Sequence, residues 1–221
     1  VTPRVVPFDD LDALDAALAH GDVAALLLEP ALTNIGIVLP QPGYHDAVRE
    51  ITRRHGVLLI IDETHTISAG PGGCTQAWGL DPDMVVIGKP IGGGFPVATY
   101  GVTEEIAAML DPALHGHDAD VGGVGGTLAG SAMATAAIRA TLSTTLLDAD
   151  YERMIPLATR WTEGVAGAIE EHGLAWSVQQ LGCRAEYWFC PLPTNGADAA
   201  AAVDDQLDAF MHLWALNRGI L

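Results

Sequence analysis

The chain has 221 residues, with 10 Lys+Arg set against 28 Asp+Glu for a formal net charge of −18 at pH 7. Hydrophobic residues make up 49% and charged residues 17%, enough apolar content for a large core and too much for wholesale disorder. The acidic excess, with no basic patch to offset it, repels phosphate backbones and anionic lipid, so neither nucleic acid nor a membrane surface is an expected partner.

In chain order, Phe8 to His20 carries apolar residues at helical spacing behind Asp9 and Asp10, and Gly21 stops it. A compact apolar run, Ala24 to Leu28, closes at Glu29-Pro30; a helix follows from Tyr44 to His55. A second run, Val57 to Ile61, closes at Asp62-Glu63. A third, Met84 to Ile87, ends at Gly88-Lys89; a fourth, Val97 to Gly101, precedes a short helix from Thr103 to Leu110. Unbroken apolar strands alternating with helices predict an α/β fold whose mainly parallel sheet is covered by helices. Asp111 to Gly126 reads as a loop rich in His, Asp and Gly. Ser131 to about Leu146 and Tyr151 to His172 read as helices, then a strand pair near Ala175–Val178 and Arg184–Phe189, then a helix from Asp198 to Asn217. A composition shift near residue 150 divides the chain into 1–148, part of a large domain, and 149–221, a linker helix with part of a smaller α+β domain. Three scattered cysteines (Cys74, Cys183, Cys190) suit reduced thiols in a cytoplasmic protein rather than a disulfide framework. No exported or membrane-spanning segment is expected.

In open sheets of this kind, ligands sit outside the carboxyl ends of the strands, which here carry Glu29, Asp62 and Lys89. Lys89 is the single lysine among ten cations and lies in Gly88-Lys-Pro-Ile-Gly-Gly-Gly94, where backbone must pass close to something. That context suits a lysine that forms a Schiff base, its amine kept neutral by burial. Asp62 would then hold a pyridine nitrogen protonated, as pyridoxal phosphate requires. Taken alone, Asp62-Glu63 is equally consistent with two solvated acids, and Gly92–Gly94 with a flexible turn. His115, His117, Asp118 and Asp120 fit no compact metal clip, so no metal is expected. Arg184, beside Glu186 on a strand, suits a structural ion pair better than a receptor for a substrate carboxylate. Templates for a P-loop, a dinucleotide fingerprint and a nucleophile elbow all fail.

Glu29-Pro30 with Asn34 and Gly36, then Val57–Glu63, then Asp83 to Val97, then Gly126-Thr127-Leu128 with Gly130-Ser131, together resemble the class III aminotransferases of the fold type I pyridoxal-phosphate enzymes. The resemblance is nearest to the glutamate-1-semialdehyde aminomutase and β-transaminase group. It implies a transferase that moves an amino group between a small-molecule amino donor and a keto acceptor, through a Schiff base at Lys89. Alternatives are a 2,1-aminomutase and a catalytically silent relative of the fold that acts as a dimerisation or binding module. The resemblance further implies that Asp62 pairs with the pyridine nitrogen, that Thr64 stands where a valine usually packs on the ring, and that Asn34 and Glu29 lie near the phenolic oxygen. Thr127 would bind a phosphate, with the site at a homodimer interface. After Asp62-Glu63 the family usually has Val-Met-Thr-Gly-Phe-Arg; here Thr64-His65-Thr66-Ile67-Ser68 removes the arginine and introduces His65. Measured against that family, the chain is expected to be a fragment, without the N-terminal part and the C-terminal end.

Overall fold

The computed structural model describes residues 2–115 and 128–220. Four strands, β1 (Ala25–Leu28), β2 (Leu58–Asp62), β3 (Met84–Gly88) and β4 (Ala98–Val102), form one sheet in the order β1-β2-β3-β4. The first three run parallel, with Leu28 beside Ile61 and Asp62 beside Val86. β4 is antiparallel to β3, Gly88 facing Ala98. The reason is length. The β3–β4 connection holds only a 3-10 turn, Lys89–Gly92, and a few residues more, whereas a parallel return needs a crossover of about a dozen residues or more.

Two helices cover one face. α1 (Leu11–Leu18) is capped by Asp10, whose side chain accepts from the Ala13 N–H at 2.9 Å; α2 (Tyr44–His55) ends on Gly56 in the left-handed region, after Arg53, Arg54 and His55 in its last turn. Leu14 and Leu18 of α1, Val48 and Ile51 of α2, and Val57, Leu59 and Ile61 of the β2 region form one buried cluster. Each such side chain, fully buried, contributes about 1.5–3 kcal/mol. Helical cover is incomplete among the described residues: Leu27 on β1 is 60% exposed, and β4 is exposed along most of its length.

Beyond β2 come a 3-10 turn, Thr66–Ala69, and the short helix α3 (Gly73–Ala77). α4 (Glu104–His115) runs five residues past the expected end at Leu110, through Asp111-Pro112, so the first part of the expected loop is helical. α5 (Ala132–Thr144) and α6 (Asp148–Glu171) follow; α6 contains Pro156, which removes one intrahelical hydrogen bond without ending the helix. Two antiparallel strands, β5 (Ser177–Leu181) and β6 (Arg184–Trp188), make a hairpin around Gly182-Cys183. The expected single tail helix is two, α7 (Gly196–Ala201) and α8 (Asp205–Leu216), because the Asp204 side chain accepts from the Gln206 and Leu207 N–H groups and starts a new one.

The hairpin and α6 dock on the sheet's connections. The Cys183 N–H donates to the Ser68 carbonyl at 2.9 Å, the Tyr151 hydroxyl donates to the Ile67 carbonyl at 3.1 Å, and Trp188 packs with Val38 and Ala199. Gly182 has φ +57°, and a Cβ there would overlap the backbone of Ser68 and Ala69. Only glycine permits that approach.

Candidate active site

The register of the parallel strands sets Leu28 beside Ile61 and Asp62 beside Val86, so Glu29, Asp62 and Lys89 leave the sheet at the same edge. Lys89 is the first residue of the 3-10 turn and has φ +46°, a left-handed conformation unusual for a residue with a side chain. The glycines after it serve close packing: a Cβ at Gly92 would lie 2.5 Å from Val97 Cγ1, and one at Gly93 would lie 2.8 Å from Thr141 Oγ1 of α5.

The structure leaves the Lys89 side chain exposed, which corrects the expectation that burial surrounds its amine. An imidazole is there instead: Lys89 Nζ is in hydrogen-bond contact with His65 Nε2. On the far side of the ring, His65 Nδ1 lies 2.9 Å from Thr33 Oγ1, and that hydroxyl lies 2.8 Å from Glu29 Oε2. Arg184 Nη1 approaches His65 Nδ1 at 3.4 Å. Burial pulls the His65 pKa below its ordinary value, the Lys89 and Arg184 cations pull the same way, and Glu29 and Asp62 oppose them. The ring is therefore a neutral group at neutral pH.

Asp62 Oδ1 accepts from the Thr64 N–H at 2.9 Å, and its other oxygen accepts no proton among the described residues. Thr64 Oγ1 accepts from the Gly88 N–H at 3.1 Å, tying the end of β2 to the end of β3 just before Lys89. Arg184 donates to Glu186 at 2.6 Å and to the Thr33 carbonyl at 2.6 Å, an ion pair that also braces the Thr33 loop. Asn34 is exposed, with no side-chain hydrogen bond among the described residues, and stands apart from this network. Thr127, His117, Asp118 and Asp120 lie outside the described residues, as does the His115 side chain.

Glu63 is not the solvated acid that its sequence setting allows. It is 1% exposed, and its oxygens accept from the Thr66 hydroxyl (2.5 Å), the Cys74 N–H (3.1 Å), the Thr75 N–H (2.5 Å) and the Thr75 hydroxyl (2.6 Å). It fixes the turn that carries His65. Thr33, a buried partner of the site, has no sequence signal of its own; only the fold brings it between Glu29 and His65.

An amine in contact with an imidazole, and a carboxylate oxygen that accepts no hydrogen bond among the described residues, thus share one sheet edge. That donor set fits a carbonyl-bearing pyridine cofactor, with Lys89 to meet the carbonyl and Asp62 to meet the ring nitrogen.

Known proteins share the sequence and fold of the chain. The aminotransferase class-III family matches residues 6–156. The chain is 38% identical to a glutamate-1-semialdehyde 2,1-aminomutase from Sorangium cellulosum over 99% of its own length and 49% of the relative's. It is 48% identical to a solved glutamate-1-semialdehyde aminomutase from Pseudomonas aeruginosa in complex with PMP, with a TM-score of 0.92, covering 99% of this chain and 49% of that one. A β-phenylalanine aminotransferase from Variovorax paradoxus shares 25% identity at a TM-score of 0.85, covering 98% and 50%. The chain therefore spans about half the length of the curated relatives it matches.

Proposed function

The chain belongs to the class-III aminotransferase family, and from that premise we propose that it carries the reacting lysine of an enzyme that moves amino groups with pyridoxal phosphate. The observation that carries the reading is Lys89 at the end of β3, on the same sheet edge as Asp62. When bound, the cofactor supplies a carbonyl that condenses with amines and a ring that withdraws electrons from the neighbouring carbon.

The chain's own residues do the rest. Lys89 would offer its amine to the carbonyl, and Nζ, when free, would be the group that takes a proton from the substrate carbon and returns it to the neighbouring carbon. Asp62, held by the Thr64 N–H, would present its second oxygen to the ring nitrogen and keep it protonated. Thr64 fixes the separation of the two strand ends through the Gly88 N–H. The resemblance assigns Glu29 and Asn34, on the segment that follows β1, to the phenolic oxygen, and Thr127 to a phosphate.

An amino donor and a keto acceptor are the proposed substrates, a homodimer the proposed assembly and the cytoplasm the proposed location. No helix among the described residues is long and apolar enough to cross a membrane. The division into 1–148 and 149–221 completes the reading. The names of the relatives at 38% and 48% identity favour a second one, a 2,1-aminomutase, which exchanges amino and carbonyl groups within one molecule.

Addition of pyridoxal phosphate to the full chain is expected to produce a visible absorption band, and borohydride is expected to fix the cofactor on the peptide that contains Lys89. Lys89→Ala is expected to lose both. An unlabelled Lys89 peptide in the wild type would overturn the proposal. A panel of donors with and without a separate keto acceptor then separates transfer from isomerisation.

A further inference from the structure

His65 stands where the family's usual pattern has no histidine, and the mechanism above leaves it without a task. Its ring has two faces to account for. Nε2 contacts Lys89 Nζ; Nδ1 lies 2.9 Å from Thr33 Oγ1 and 3.4 Å from Arg184 Nη1.

Hydrogen-bond arithmetic decides the tautomer. Glu29 as a carboxylate only accepts, so at 2.8 Å Thr33 gives its one hydroxyl proton to Glu29 Oε2. The hydroxyl is then left with lone pairs only, and the bond to His65 requires a proton on Nδ1. Arg184 Nη1 is also a donor, so its 3.4 Å approach to a protonated Nδ1 is no hydrogen bond. With Nδ1 protonated and the ring neutral, Nε2 carries a lone pair aimed at the Lys89 ammonium. Thr33 is 1% exposed, so water does not compete for its hydroxyl.

We propose that His65 is the positioning residue of Lys89: its Nε2 accepts a hydrogen bond from the lysine amine, and the Glu29–Thr33 pair holds the ring as the Nδ1–H tautomer. The charged groups that face the ring are Lys89 after β3, Arg184 on β6 with its partner Glu186, Glu29 after β1 and Asp62 at the end of β2. Burial first, and then the two cations, favour the neutral imidazole, which is able to accept. If it took a proton, Nε2–H would face an ammonium, and the contact would be lost to repulsion between two donors. His65, together with Thr33 and Glu29 from the segment after β1, thus forms a clamp that holds an exposed lysine in one place.

The inference rests on Lys89 as the reacting amine, but its first test needs no cofactor. In the cofactor-free full chain labelled with 15N-histidine, the imidazole signals that vanish in His65→Gln identify this ring. They are expected to report a proton on Nδ1, a bare Nε2, and a titration below the ordinary histidine value of about 6.5. Lys89→Met, which removes the neighbouring cation, is expected to raise that titration. Thr33→Val is expected to mix the tautomers, and Thr33→Ser to keep the wild-type one. If Thr33→Val does not fold, Glu29→Gln tests the same link without change of volume. A ring found with its proton on Nε2, or a titration unmoved in Lys89→Met, overturns the proposal. A ring that behaves as expected in a protein that never takes up the cofactor would sink the proposed function and leave the clamp standing.

Discussion

Glu63 and Asp83 show how single carboxylates set the geometry around the site. Glu63 accepts four protons from Thr66, Cys74 and Thr75 while almost fully buried. Glu63→Gln keeps the volume but turns one acceptor into an NH2 group that faces donors; urea unfolding is expected to show a loss of about 2 kcal/mol. An unchanged midpoint would mean that the turn bearing His65 is held by something else. Asp83 is different: Arg49 donates to both its oxygens, at 2.7 and 2.9 Å, and the Leu59 N–H adds a third bond at 2.7 Å. The Arg49 hydrogen bond holds the Asp83 pKa below the ordinary aspartate value of about 3.9. A carboxyl with a depressed folded pKa stabilises fully above that ordinary value and loses the contribution as pH falls through the lower one. Stability is therefore expected to drop on acidification below about pH 4, and Asp83→Asn is expected to flatten that part of the profile; equal slopes in the two proteins would remove Asp83 from the account. Of the site itself, Glu29, Asp62 and Lys89 are legible in the sequence because each follows an apolar run. Thr33 and Glu63 are not, since what defines them is partners supplied by other segments, and His65 announces its presence but not its partner.

At the scale of elements, connection length and side-chain capping explain where pattern and structure part. The first three strands are parallel as their alternation with helices implies, and the fourth reverses because the link before it is too short for a crossover. Asp198 to Asn217 looks like one helix by apolar spacing, yet the Asp204 cap divides it. The hairpin of β5 and β6 depends on Gly182, whose side-chain hydrogen faces the backbone of Ser68 and Ala69. Gly182→Ala combines a positive φ with a backbone overlap and is expected to lower stability by roughly 2 kcal/mol or more. It should also increase exposure of the Trp188 indole, which is 7% exposed in the docked hairpin. An acrylamide-quenching profile like that of the wild type would show that the hairpin adapts without undocking.

Across the whole molecule the excess of acid has an energetic side. Arg4, Arg49, Arg53, Arg54, Arg153 and Arg184 are already engaged with carboxylates, so much of the small cationic complement is spoken for. A net charge of −18 leaves a self-repulsion that salt screens. Raising the ionic strength from about 0.02 to 0.2 M is expected to lift the thermal midpoint by roughly 2–4 °C; a fall would mean that the exposed ion pairs outweigh the repulsion. The strand order has a kinetic side as well. Because β1, β2, β3 and β4 pair in the sequence in which they occur, each joins a neighbour already in place, at small loop-closure cost. The bonds from Arg184 to Thr33 and from Cys183 to Ser68 span 151 and 115 residues. During folding, then, the lysine and its carboxylates can gather before Arg184 reaches the Thr33 carbonyl beside His65, a contact that waits for a segment 151 residues away.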